Sequence, residues 1–184
     1  MKIIGLTLLP KQKQMQSRSY MYLKPDSALV VNNKPFFIPD DHGEYYAHFC
    51  AVARINRLGK NIQEKFACRY YEELTIGLNI INHAQLSETS PDAWLKATAF
   101  DNSMVVGQFA VENIEKIEIN GVRYPLTNLQ QQIKSAISEV SRTITIRMGD
   151  MVAADIEIPP KLLGLDDVIS IVSDNKEILF CRIK

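Results

Sequence analysis

The sequence predicts an α+β fold, a large mixed β-sheet assembly with few helices. Three observations predict it. Apolar, β-favouring runs recur along the chain, beginning with residues 2–9 and ending with 168–183. Asn120-Gly121 and Asp174-Asn175 each sit between two such runs, where a hairpin would turn. Only residues 127–141 carry a sustained helical stripe, made by Leu129, Ile133, Ala136, Ile137 and Val140.

A chain of 184 residues suits a single domain, 1–184, with a real core. Apolar residues make up 46% and charged residues 23%, an ordinary globular composition. The formal net charge is zero, so there is no electrostatic case for a nucleic-acid partner or an anionic membrane surface. No apolar run is long enough to span a bilayer as a helix. Residues 1–10 are too short for a signal peptide and lack a small-residue cleavage site. Cys50, Cys68 and Cys181 follow no disulfide spacing, and an odd count suits reduced thiols in the cytoplasm.

In order, residues 2–9 read as an edge or buried strand, and 11–19 as a polar, solvated loop. Residues 28–31 and 35–38 read as a hairpin turning at Asn32-Asn33. Asp41, His42 and Glu44 stand in a polar loop; a metal site can be drawn there, but a flexible acidic loop is the commoner meaning. Residues 45–55 read as a strand, 62–74 as a helix and 75–81 as a second strand. Side chains two apart on a strand share a face, so His48 and Cys50 share one face while Ala47, Phe49 and Ala51 share the other. A second strand returning beside the first brings either Asn79 or His83 to that pair. Residues 85–92 form a loop, 115–124 a hairpin, 143–154 a strand pair around Gly149 and 168–183 a last hairpin. Thr127 and Gln130 have capping-box spacing at the start of the long helix.

The stretch from Tyr45 to His83 resembles the core of the fumarylacetoacetate hydrolase family. There the first strand reads roughly Tyr-Glu-x-Glu-Leu-x-Val-x-Ile and the second carries an Asp. The resemblance implies a fumarylacetoacetate hydrolase C-terminal-domain-like fold and a homodimer paired through its sheets. It extends along nearly the whole chain. Met21 to Pro39 resembles the family's Phe-x-Lys-Pro-x-Ser-x-Leu, which makes Lys24 and Ser27 retained pocket candidates. Trp94, Phe100, Asp101 and Gly107 match the family's Trp-x-x-x-Lys-x-Phe-Asp segment, but Thr98 stands where the pocket Lys belongs. Lys96 could replace that Lys only if the segment were extended. Residues 143–150 resemble Thr-Leu-x-x-Gly-Asp, after which Ala154, Asp155, Ile156 and Glu157 replace Thr-Gly-Thr-Pro and change the pocket floor.

In the family two Glu and an Asp hold Mg²⁺ or Mn²⁺, which binds a small oxo-acid and stabilises an enolate during cleavage, decarboxylation, hydration or isomerisation. Here the aligned positions are His48, Cys50 and Asn79, or His83 in a shifted register; in the first register His83 takes the place of an Arg. Lys13 and Gln16 replace the lid's His and Glu. A neutral imidazole, a thiol and an amide make a poor site for Mg²⁺, so no cofactor is expected. Two readings follow. One is a non-catalytic homologue, a dimeric scaffold or a binder of a small ligand such as an oxo-acid. The other is an enzyme acting on an acylpyruvate-type oxo-acid through an exchanged, softer metal, Zn²⁺, at His48 and Cys50 with His83 near.

Overall fold

The computed structural model describes residues 1–9, 19–31, 33–41, 43–86, 90–110 and 114–184. The polar loop with Lys13 and Gln16, the turn residue Asn32, and His42 lie outside them. The strands are β1 (Lys2–Leu8), β2 (Ser19–Pro25), β3 (Leu29–Val30), β4 (Tyr45–Ile55), β5 (Tyr71–Asn82) and β6 (Met104–Val106). They continue with β7 (Lys116–Ile119), β8 (Val122–Pro125), β9 (Met151–Asp155), β10 (Lys161–Leu162), β11 (Val168–Ser173) and β12 (Lys176–Arg182). The α-helices are α1 (His83–Leu86), α2 (Ala93–Thr98) and α3 (Leu129–Thr143).

One sheet runs β2-β1-β9-β4-β5-β6-β3, with β10 pairing the start of β4. It is mixed: β1 pairs β9, and β3 pairs β6, in parallel, while the other neighbours are antiparallel. The second sheet, β12-β11-β7-β8, is antiparallel throughout. Among the described residues strands thus dominate and α3 is the longest helix, so the α+β, sheet-rich architecture read from the sequence stands. No described helix is long and apolar enough to cross a membrane.

The large sheet buries both faces. Ala47, Phe49, Ala51 and Ala53 of β4 meet Leu78 and Ile80 of β5, the α3 stripe of Ile133, Ile137 and Val140, and the second sheet. The opposite face carries Cys50 and Val52 against Ile3, Tyr22, Met104 and Met151. Small residues on the central strand let α3 approach the sheet closely. Both faces of β4 are apolar because both are covered, which is why residues 45–55 read as an almost unbroken run.

Several local expectations give way to longer-range pairing. Residues 62–74 are not a helix: a 3-10 segment, Glu64–Arg69, gives out at Tyr70, and β5 already begins at Tyr71. Phe66, Tyr70, Glu73 and Leu74 have near-helical spacing that Tyr71 blurs, and pairing β5 along the whole of β4 satisfies the backbone instead. Residues 28–31 and 35–38 do not pair with each other. Leu29 and Val30 join β6, while Phe36 bridges Ile183, so each short arm takes a distant partner. Residues 143–154 hold one strand, β9; before it Ile146 bridges Gly59, and Asp150 Oδ2 accepts from the Arg147 amide to fold a turn. The capping box does not form: Asn128, left-handed at φ 62°, precedes α3 without a side-chain cap, and Thr127 lies outside the helix. The hairpins turning at Asn120-Gly121 and Asp174-Asn175 form as read, with positive φ at all four residues.

Candidate functional site

Strand alternation assembles the site. On β4, His48 and Cys50 point to one side; across the ladder their partners are Asn79 and Gly77 of β5. On the other flank Cys50 pairs with Asp155, the last residue of β9. Thr7 closes the row from β1, and Tyr20, Tyr22 and Lys24 of β2 pair with Thr7, Gly5 and Ile3. Gly5 is required here: a Cβ on it would lie 2.2 Å from the Tyr22 ring, which crosses the strand at that point.

A hydrogen-bonded chain runs through this row. Asp155 Oδ2 accepts from Thr7 Oγ1 at 2.6 Å, from the Leu8 amide at 3.0 Å and from His48 Nδ1 at 3.1 Å. Three donors on one carboxylate oxygen fix the tautomer of His48, whose proton sits on Nδ1. The remaining nitrogen, Nε2, meets His83 Nε2 at 3.0 Å. His83 stacks on Tyr46 with ring centroids 4.2 Å apart. Burial, and then the proximity of His48, push the pKa of His83 down from 6.5 to about 4. A neutral His83 can thus share one proton with His48 across the Nε2–Nε2 contact, and Thr7, Asp155, His48 and His83 form one hydrogen-bonded row.

Beneath this chain the side chains are buried. Cys50 is fully buried, and burial, followed by the charge of Asp155, pushes its thiol well above the usual range. Lys24 is also fully buried and donates to Ile80 O, Ser103 O and Ser103 Oγ at 3.1, 3.1 and 2.8 Å. Desolvation pushes its pKa down to about 7, against the opposing influence of Cys50 and Asp155. The Tyr22 hydroxyl, both polar atoms of the Asn79 amide and Asp155 Oδ1 are buried without a protein hydrogen-bond partner. A cavity of about 270 Å³ lies beside the row, lined by His48, Asp155, Glu157, Phe49, Ile156 and Ile158 among others.

The structure therefore gathers four of the residues singled out in the sequence, His48, Cys50, Asn79 and His83. Asn79 holds the position opposite His48, and His83 reaches the same imidazole from the first residue of α1, so both alternatives meet it. Lys24 is buried and spent on backbone and Ser103. Ser27 and Asp101 form a pair of their own at 2.7 Å, among exposed groups. Thr98 ends α2, and its buried hydroxyl donates to Trp94 O one turn back. Because 93–98 is helical, Lys96 does not share a face with Thr98; it is exposed and pairs with Asp92 at 2.9 Å. Asp41 accepts from the Tyr45 hydroxyl and the Gly43 amide.

Two members of the site, Asp155 and Thr7, were not singled out by sequence reasoning. Asp155 read only as bulk in the pocket floor. Its signal was its position: two and four residues after Ala153 and Met151, it shares their face on β9. Thr7 carried no signal, since a lone Thr in a strand is ordinary.

No protein-family model matches this sequence. No curated protein matches it either. The fold, however, has solved counterparts and is that of the fumarylacetoacetate hydrolase family. A Yersinia pestis protein described as one of that family superposes with a TM-score of 0.79 at 22% identity, covering 100% of this chain and 92% of its own. A 5-carboxymethyl-2-hydroxymuconate delta-isomerase from Mycobacterium smegmatis gives 0.79 at 20% identity, with 99% and 78% covered. Fumarylpyruvate hydrolase from Pseudomonas aeruginosa, solved with Mn²⁺ and pyruvate, gives 0.76 at 18% identity, with 99% and 88% covered.

Proposed function

We propose that this chain is a fumarylacetoacetate hydrolase-family homologue that binds a small organic molecule in the cleft beside His48, without the divalent-metal chemistry that the resemblance implies. One observation carries the reading. Both nitrogens of His48, the residue that the resemblance aligns with the family's first carboxylate ligand, are engaged, Nδ1 by Asp155 and Nε2 by His83. Cys50 adds a thiol that burial keeps protonated, and Asn79 an amide without charge. Among the described residues no three His, Cys, Asp or Glu side chains converge as a metal site. A hard, reluctantly dehydrating cation needs several oxygen donors carrying negative charge, and this set offers one carboxylate, one oxygen of which already accepts three hydrogen bonds. The residues present do not fit Mg²⁺ or Mn²⁺, and no catalytic step is routed through either ion.

Thermal unfolding with added Mg²⁺, Mn²⁺ or Zn²⁺ tests the reading, since an ion that binds only the native state stabilises it by about 2.7 kcal/mol at a hundredfold excess over its dissociation constant. No shift is expected from Mg²⁺ or Mn²⁺. A Mg²⁺ shift accompanied by turnover of an acylpyruvate contradicts the proposal. A Zn²⁺ shift lost in Cys50→Ser replaces it with an exchanged-metal enzyme.

The proposal extends to assembly and place. A homodimer would cover exposed apolar side chains such as Phe37, Leu162 and Leu165. The three cysteines are unpaired, which suits a reducing compartment such as the cytoplasm.

A further inference from the structure

We propose that Asn120 is a latent deamidation site: its side chain clamps β7 to β11, and release of that clamp lets the Gly121 nitrogen cyclise onto it and loosen the junction irreversibly. The starting point is local chemistry. Asn120-Gly121 is the one Asn-Gly pair in the chain. An asparagine followed by glycine is the pairing most open to attack by the next backbone nitrogen. No side chain shields that nitrogen, and glycine reaches the backbone angles that ring closure needs. Both residues are exposed at the tip of the β7–β8 hairpin, and a Cβ on Gly121 would meet nothing within 4 Å. Water and base therefore reach the turn.

The Asn120 side chain is nevertheless held at both ends. Its Nδ2 donates to Val168 O at 2.7 Å, and its Oδ1 accepts from the Ser170 amide at 2.8 Å. The Asn120 backbone amide donates to Ser170 O at 3.0 Å. The register explains the arrangement. Between β7 and β11 the ladder pairs Glu118 with Val172 and Ile119 with Ile171. One step beyond, the carboxamide stands in for a further length of strand and satisfies an acceptor and a donor on the β7 side of β11. Holding both ends fixes the side-chain torsions, so ring closure waits until the clamp opens. The step needs water alone. The Gly121 nitrogen loses its proton and bonds to Asn120 Cγ; the Cγ–Nδ2 bond breaks and ammonia leaves. Water then opens the cyclic imide at either carbonyl, giving an aspartyl or an isoaspartyl residue. Each product puts a carboxylate where the carboxamide was, so two acceptors face each other at Val168 O. The isoaspartyl form also lengthens the backbone of a tight turn between Ile119 and Val122. The clamp does not re-form in the modified chain.

Incubating the full chain at mildly alkaline pH, and following the tryptic peptide of residues 117–123 by mass spectrometry, reads the rate directly. The native chain should deamidate at Asn120 at least about fivefold more slowly than the urea-unfolded chain, because the clamp's hydrogen bonds have to open first. The rate should climb gently at urea concentrations well below the unfolding midpoint, as a local opening that exposes little surface requires. Ser170→Pro removes the N–H that holds Oδ1 and should bring the native rate towards the unfolded one. Asn120→Asp carries one of the products and should unfold at a lower urea concentration than the parent at neutral pH. Equal rates in the native and the unfolded chain overturn the proposal, because the clamp then gates nothing. So does a native rate that rises only with global unfolding. The urea series needs no variant and decides even where Ser170→Pro does not fold. An Asn120→Asp midpoint equal to the parent's overturns the irreversible loosening.

Discussion

Asp155 and His83 engage the two ring nitrogens of one imidazole, that of His48. Where the family resemblance places a glycine, Asp155 puts a carboxylate that holds His48, and where it places an Arg, His83 caps the other side of the same ring. The protonation of His83 follows from its setting. Its pKa is held near 4 in the fold and is 6.5 outside it, so the unfolded chain binds a proton over this interval that the native state does not. The contribution of neutral His83 to stability is therefore complete above about pH 6.5 and declines as pH falls towards about 4. His83→Asn should flatten that part of the profile. Urea midpoints of both proteins between about pH 7 and about pH 4.5 provide the check, and parallel profiles would contradict the account. At this scale the sequence was informative in part. His48 and Cys50 were legible as a pair because alternation along one strand is readable from spacing, whereas the returning strand left Asn79 and His83 both open. Asp155 and Thr7 come from strands whose partners lie more than a hundred residues away in the chain, and neither pairing leaves a local trace.

The elements show the same division between local and distant forces. The α3 stripe and the two hairpin turns were legible because their signals, apolar spacing and residues that accept positive φ, are local. The supposed helix over 62–74 and the supposed hairpin over 28–38 failed because short apolar runs do not name their partner. Gly107 shows what such a distant contact demands. It sits where the end of β6 passes between the two sheets, its amide bonded to Ile76 O and that of Gln108 to Ile178 O. A Cβ there would lie 2.6 Å from Ile178 O and 2.8 Å from Ile76 O. Both are backbone atoms that cannot swing aside. Gly107→Ala should therefore destabilise the protein by about 1–3 kcal/mol or more. A denaturation curve with an unchanged midpoint would show that the junction is looser than described.

At the level of the whole molecule, the fold stands apart from the chemistry proposed for its cleft. The scaffold of proteins that share at most 22% identity with this chain is retained across essentially its full length. A scaffold depends on apolar pattern and turn residues, which many sequences satisfy, whereas a cation site depends on a few charged side chains at fixed places. The dimer proposed above belongs to the scaffold. Light scattering at micromolar concentration should give about twice the mass of the chain, and a monomer would contradict it. The metal-free cleft is the central claim, and calorimetric titration with Mn²⁺, alone and with saturating pyruvate, tests it most directly. The account predicts only heats of dilution in both titrations. Stoichiometric Mn²⁺ binding that tightens with pyruvate and disappears in His48→Ala would contradict it.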